Sequence, residues 1–452
     1  MRPSIRQRLL VPATSLLVAL SACLVVVSGT SASVAATRVN PRNPLTWHRT
    51  SPAHYTPRFG AKFNNPYGRR AARGRLVHKV VRTIDSSPGY VRPRTASGAK
   101  VPCPSNPRFF PSRIKISLYS IASRAFVAAL IRAHRRCVSV QLLMNNHLDA
   151  TTSRSWGALL KAIGNDRRKR SWTRRCVGGC RGHAVLHSKF YLFSHAGNAR
   201  NVVMVGSSNM TTNAVRIQYN DLFTSTGSST LLRQYTSIFN QMKRDRVVSN
   251  PLRVYKVGRY TSTFYPFPGA TARTDRTMAA LNSIRCSGAA RGAGVRGHSV
   301  LYINMHSWHG TRGRYLAKRV RTMYNRGCYV RILYSFMGHG TFAYLTHGTG
   351  PRMVARRVLF PGPRGLVAAK YSHMKMFAAS GRIGSDRSSW VTWTGSNNWA
   401  DRSIHGDEVT LRISSYSVYR SYVAHWKAMR ERRSSPVWAI YPEPGGGGRA
   451  PD

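Results

Sequence analysis

Acidic residues are scarce in this 452-residue chain, with 13 Asp and Glu against 71 Lys and Arg. So few carboxylates form no cluster along the sequence that could hold a divalent cation. The formal net charge of +58 argues against a basic partner. Long apolar runs are equally rare: beyond the N-terminal segment, none reaches the roughly 18 residues that a membrane span needs. Cysteine is limited to seven positions. What is present is globular, with 42% hydrophobic and 10% aromatic residues, which excludes a disordered basic tail. The length accommodates about two to three domains and a sizeable core. A surface this positive gathers polyanions such as nucleic acid, anionic lipid headgroups or cell-wall polymers. An arginine-rich coding bias is the plainer source of part of that excess.

Arg2, Arg6 and Arg8 precede an apolar stretch from Leu9 to Val27, followed by the small-residue exit Ser31-Ala32-Ser33-Val34-Ala35-Ala36. This order reads as a secretory signal peptide over residues 1–36, cleaved after Ala36. Leu20-Ser21-Ala22-Cys23 offers the alternative of a lipidated Cys23, although Leu24 to Val27 stay apolar where such a signal should have ended. A retained membrane anchor is a further alternative. The expected location is therefore extracellular. Six cysteines remain: Cys103, Cys137, Cys176, Cys180, Cys286 and Cys328. In an exported chain an even number reads as disulfides. Cys176-Val-Gly-Gly-Cys180 also has the spacing of a metal knuckle, but no second close Cys/His pair accompanies it, so a short disulfide loop is favoured.

The chain is written twice. Phe63-Asn-Asn-Pro66 has a counterpart in Phe264-Tyr-Pro266, and the alternation Ile114, Ile116, Leu118 matches the run containing Val300, Tyr302 and Ile303. Each reads as a strand. Helical patterns follow, Ser123 to Arg136 and Arg312 to Arg326, each leading to a cysteine and another strand. Both copies close on an amphipathic helix, near Leu231 to Arg244 and Tyr419 to Arg432. Strand, helix and strand in this order imply an α/β layer architecture in each half. The matching places of Cys137 and Cys328 suggest the pairs Cys103–Cys137 and Cys286–Cys328, leaving Cys176–Cys180. The boundaries read as an extended Pro- and Arg-rich lead-in over 37–60, repeats over 61–250 and 251–440, and a flexible Gly-rich tail over 441–452.

The chemistry is carried by His187-Ser-Lys189 with Gly206-Ser207-Ser208-Asn209, and by His373-Met-Lys375 with Gly395-Ser396-Asn397-Asn398. The glycines follow the histidines by 19 and 22 residues. One HxK is weak in a chain with 16 His; two in matching places, each with its GSxN, are strong. His and Lys two apart on a strand project from one face. Two such strands brought together would surround a phosphodiester with two imidazoles and two ammoniums. The cations clamp the nonbridging oxygens, one His attacks and the other protonates the leaving group. The Ser and Asn of GSxN add neutral donors. No metal or other cofactor is required.

These residues resemble the phospholipase D superfamily, whose signature is HxKx4D followed by a GSxN-like segment, usually twice per chain. The likeness covers about 75–435. It implies two α/β/α sandwich repeats related by a pseudo-twofold axis, with one active site at their interface. It also implies a covalent phosphohistidine resolved by water or another alcohol, with His187 as nucleophile and His373 as general acid. The signature Asp is Ser194 in the first copy and Ser380 in the second. The tyrosyl-DNA phosphodiesterase branch likewise lacks these Asp residues and works with His, Lys and Asn. Members use an acid downstream of GSxN to orient the His; Asp221 and Glu408 are the candidates here, against the plainer reading of strand-end salt bridges.

The basic segment Arg167 to Arg175 precedes the first motif and contains Trp172, read either as a phosphate-binding approach with a stacking ring or as a solvated loop. Its counterpart holds Arg352, Arg356, Arg357 and Arg364. Phospholipid headgroup release is the favoured activity and nucleic-acid cleavage the alternative. A third reading is a basic, disulfide-braced binding protein with a relic site. Two halves supply a complete site, so a monomer suffices and no stable protein partner is implied.

Overall fold

The computed structural model describes residues 39–147, 150–346, 355–357, 359–360 and 370–433. The signal peptide, the alternative at Cys23 and the Gly-rich tail lie outside the described residues, as do Arg352 and Arg364.

Two large sheets organise the described residues. The first is built from β1 (Gly60–Phe63), β2 (Arg113–Leu118), β3 (Ser139–Asn145), β4 (Trp172–Cys176), β5 (Phe190–Ala196), β6 (Ala199–Gly206) and β7 (Asp221–Ser225). Its spatial order is β1-β7-β6-β5-β2-β3-β4. The second contains β8 (Arg253–Val257), β9 (Tyr260–Phe264), β10 (Val300–Trp308), β11 (Tyr329–Met337), β12 (Ala355–Arg357), β13 (Lys375–Ile383), β14 (Asp386–Gly395) and β15 (Val409–Ser414). Its order is β8-β9-β15-β14-β13-β10-β11-β12. With β8 set aside, the two orders are the same. The strand directions agree too: β2-β3-β4 and β10-β11-β12 are parallel runs and the remaining neighbours are antiparallel. The duplication read from motifs is thus a duplication of topology.

Strand registers refine the correspondence. Phe63 faces Asp221 and Phe264 faces Val409, so the Phe63/Phe264 match holds. Lys375 pairs with Met305, and Phe190, just after Lys189, pairs with Ser117. Ile114 and Ile116 therefore correspond to Leu301 and Ile303, not to Val300 and Tyr302. Period-two alternation within an all-buried strand such as β10 leaves register open to a slip of one residue.

Helices fill the crossovers for local reasons. Ser123 caps Arg124–Arg135 by accepting from the Phe126 N–H, and Phe126, Val127 and Leu130 on one face are buried. The helix ends where Cys137 takes a left-handed φ of 70°. In the second copy Gly327 fills that left-handed position at 87°, and Cys328 follows it. The two cysteines are thus one residue out of step, yet the bonds Cys103–Cys137, Cys286–Cys328 and Cys176–Cys180 are those expected.

Alternation along the strands feeds separate cores. In β5, Tyr191 and Phe193 pack outward beneath Arg75–Asp85, Arg124–Arg135 and Ala150–Ile163, whereas Phe190 and Leu192 face inward. The inward cluster is shared. It joins Val203, Val205 and Phe223 of the first sheet to Met376, Ala378 and Leu411 of the second, with helices Ser229–Met242 and Tyr416–Arg433. A third cluster lies beneath Gly310–Asn325. Helices thus cover both sheets, as the α/β/α sandwich reading requires.

Candidate active site

Both HxK segments lie just before or at the start of a strand rather than within one. β5 begins after Lys189 and β13 begins at Lys375. Each segment leans on the opposite half: the His187 N–H donates to the Asp407 carbonyl at 3.0 Å, and the His373 N–H to the Tyr219 carbonyl at 2.9 Å. These are matching positions in the two copies, so the halves exchange equivalent contacts across an approximate twofold relation.

The side chains repeat the crossing. His187 Nδ1 lies 2.7 Å from Glu408 Oε1, and His373 Nδ1 lies 2.9 Å from Asn220 Oδ1. Asn220 is the counterpart of Glu408. Asp221 corresponds to Val409, since Ser207 N–H donates to the Asp221 carbonyl as Ser396 N–H does to that of Val409. Asp221 therefore does not orient a histidine: its carboxylate accepts from Thr394 Oγ1 at 2.5 Å and the Tyr422 hydroxyl at 2.6 Å. Ser207 donates to Asn220 at 2.9 Å, and Ser396 accepts from the Val409 N–H at 3.0 Å. Loop length concealed Asn220, because 13 residues separate it from Ser207 and 12 separate Glu408 from Ser396. Counting back from the Phe63 and Phe264 partners would have found it.

Both lysines are buried beside their histidines. Lys375 Nζ lies 2.8 Å from His373 Nε2, and Lys189 Nζ donates to the His187 carbonyl at 2.7 Å. Asn209 and Asn398 are 4% and 7% exposed, and their Oδ1 atoms have no protein partner among the described residues. These equivalent oxygens are acceptors, so the NH2 of each amide is the group that can donate to an oxyanion. Behind the second GSxN, Arg312 bridges Asp275 at 2.8 Å and donates to Asn397 Oδ1 at 2.8 Å, fixing that loop.

Burial pushes Glu408 up to about 7, with Lys189 foremost among the groups pulling it back. Burial likewise lifts its neighbour Asp407 to about 7. Burial, then Lys375, His306, Lys189 and His187, holds the His373 imidazole well below its ordinary value. Groups from both halves thus act on one ring. With Nδ1–H donated to Asn220, His373 presents a neutral Nε2 to Lys375.

Two flanking residues escaped the sequence reading. Tyr119 sits edge-on to His187 at 5.3 Å and His306 to His373 at 4.6 Å. They hold matching places, one residue beyond Leu118 and Met305. Trp172 is not available for stacking on a ligand: it is fully buried in β4 against Phe239. Ser194 accepts from the Arg113 N–H and Ser380 meets the Tyr419 hydroxyl, so the replaced signature positions serve local packing.

Residues 111–243 match the family model described as cardiolipin synthase, PLD-like domain. These residues form a phospholipase D-like domain. The second half carries the same strand order, so the phospholipase D-like topology occurs twice. No curated protein matches the chain. Among solved structures, polyphosphate kinase from Porphyromonas gingivalis is 9% identical, with 82% of this chain and 50% of that one covered at a TM-score of 0.49. The chain therefore spans half of that protein's length. Phosphatidylserine synthase of Haemophilus influenzae Rd KW20 is 11% identical, covering 82% and 86% at 0.48. A mutant yeast tyrosyl-DNA phosphodiesterase 1 is 11% identical, covering 68% and 83% at 0.38.

Proposed function

We propose that the chain is an exported phosphodiesterase that cleaves a P–O bond through a covalent phosphohistidine and releases the headgroup of a phospholipid. The observation carrying this reading is the crossed pairing of His187 with Glu408 and His373 with Asn220, each beside a buried lysine. Glu408 accepts Nδ1–H of His187 and so raises the nucleophilicity of Nε2. Nε2 attacks phosphorus, the bond to the leaving oxygen breaks, and protonated His373 supplies that oxygen with its proton. Burial, and then the neighbouring cations, keep His373 neutral at rest; an anionic phosphate beside it offsets those cations, which lets it carry the proton into this step. Water then attacks phosphorus, its proton passes to His373, and the N–P bond breaks to give a phosphomonoester. Lys189, Lys375, Asn209 and Asn398 hold the nonbridging oxygens, and none of these steps needs a metal.

The matching family model is named for a lipid enzyme, which favours phospholipid. Nuclease action is the second reading, favoured by the charge of +58. Three disulfides support an oxidising destination, and no helix among the described residues is long and apolar enough to cross a membrane. Phosphatidylcholine vesicles and plasmid DNA, incubated separately with the purified protein, discriminate the two activities. Free choline without nicking is expected; nicking without lipid turnover would replace the first reading with the second. In either assay His187→Asn should lower turnover by at least about 10³-fold and leave the unfolding midpoint unchanged.

A further inference from the structure

Away from the catalytic interface, a cavity of about 670 Å³ lies between the lead-in, helix Arg75–Asp85 and the start of helix Tyr416–Arg433. Arg58, Lys62, Lys79 and Arg82 line it together with Ser417 and Ser421. No acidic residue is among its lining residues. Lys62 reaches it from β1, on the part of that strand paired with Leu222 to Thr224, whereas the catalytic side begins at Asn64 and Asn220. None of the HxK or GSxN residues contributes.

Lys79 makes this cavity more than a basic patch. It is only 8% exposed, and its ammonium makes no hydrogen bond or ion pair with any described residue. The charged groups facing it are cations. Burial and Lys62 push Lys79 down to about 8, which records the cost of holding an unpaired ammonium there. A charge on a largely buried side chain is normally paired, and none of the residues lining this cavity is an acid that could pair it. The 18-residue helix Tyr416–Arg433 adds the positive end of its dipole, because its first turn supplies Ser417 and Val418 to the same wall. Arg82 is held in place over the Tyr55 ring at 4.4 Å.

We propose that this cavity is a second, non-catalytic binding site for a phosphate group, with Lys79 as its buried anchor. The anion pairs with the Lys79 ammonium, Arg58, Lys62 and Arg82 complete the charge balance, and the hydroxyl of Ser417 donates to one of its oxygens. The volume leaves room for a small esterified group beside the phosphate, so the ligand is inorganic phosphate or a small phosphomonoester.

Equilibrium dialysis of the full chain against radiolabelled orthophosphate, and separately against glycerol 3-phosphate, tests the proposal. The catalytic site also binds phosphate if the proposed chemistry is right, so the readout is the difference between wild type and Lys79→Met. The variant is expected to bind one ligand fewer per chain, or to bind at the second site at least about tenfold more weakly, while hydrolysing substrate within about twofold of wild type. Equal occupancy and affinity in the two proteins would overturn the site. If Lys79→Met fails to fold, the double variant Arg58→Ala with Lys62→Ala, both at exposed positions, carries the same test: a tenfold loss supports the site and unchanged binding overturns it. Preference for glycerol 3-phosphate by tenfold or more identifies an esterified phosphate as the ligand, and equal affinity identifies phosphate alone.

Discussion

Glu408 combines two costs: it is a buried carboxylate, and it lies next to a second one, Asp407. Burial raises both to about 7, whereas ordinary carboxyls in the unfolded chain ionise near 4. Between these values the folded protein holds protons that the unfolded protein has released. Stability therefore falls as pH rises from about 4 to about 7, while the carboxylate that orients His187 appears over the upper part of the same window. We expect turnover to rise with pH through about 7. Glu408→Gln should remove most of that ascending limb, lower turnover by about 10- to 100-fold, and shallow the loss of stability between pH 4 and 7. A pH–rate profile beside urea melts at several pH values checks both; an unchanged ascending limb would separate it from Glu408. At this scale the sequence was legible where residue type is rare. Two HxK and two GSxN segments stand out in any reading, and Glu408 is conspicuous among 13 acids. Asn220 carries no charge to attract notice, and its place emerges only when strand register is known.

Secondary structure follows the same division. Four of the helices were legible because capping and apolar spacing are local: Ser123, and a face of Phe126, Val127 and Leu130, mark one of them fully, whereas Arg75–Asp85 and Ala150–Ile163 were not read from the sequence. Strand register was not, since the outer strands of each sheet come from distant parts of the chain and alternation permits a slip of one. The 9-residue β10 is buried throughout, so nothing in its own pattern distinguishes its two faces. Asp221 shows the consequence. Placed one residue from the matching position, it turns away from the histidines and anchors helix Tyr416–Arg433 through Tyr422. Burial raises Asp221, and its bonds to Thr394, Tyr422 and Ser207 act against that rise. Both hydroxyls donate to the same oxygen, Oδ2, so removing Tyr422's takes one of its two hydrogen bonds and leaves Thr394 alone on a buried carboxylate. Tyr422→Phe should therefore destabilise the fold by about 1–3 kcal/mol in urea unfolding, and should reduce turnover far less than His187→Asn. A change below about 0.5 kcal/mol would show that the helix is held by its apolar face alone, through Val418, Tyr419 and Met429.

For the molecule as a whole, the scarcity of acids is informative because of where the few are kept. Asp85, Asp221, Asp275, Asp407 and Glu408 are all buried, and three of these, Asp221, Asp407 and Glu408, bond across the interface between the halves. Acids there have buried bonding partners, Glu408 in a place that the neutral Asn220 fills in the other half, whereas the exposed surface of the described residues is mostly cationic. That division separates the role of the charge from the role of the site. In the proposed chemistry the buried groups act on the phosphate and are little screened by salt; exposed cations act over a Debye length of about 10 Å at 0.1 M salt and fade to about 3 Å at 1 M. If the surface excess serves encounter with a polyanionic surface, added salt should affect capture and spare the chemical step. Raising NaCl from about 0.05 M to 0.5 M should weaken binding to vesicles containing anionic lipid by at least about tenfold. Turnover of a short-chain, monomeric phosphodiester at saturation should change by less than about twofold. Co-sedimentation and initial rates measured across the same salt series decide this. A parallel fall in both would mean that exposed arginines reach the reacting phosphate itself, and that the catalytic cations extend beyond Lys189 and Lys375.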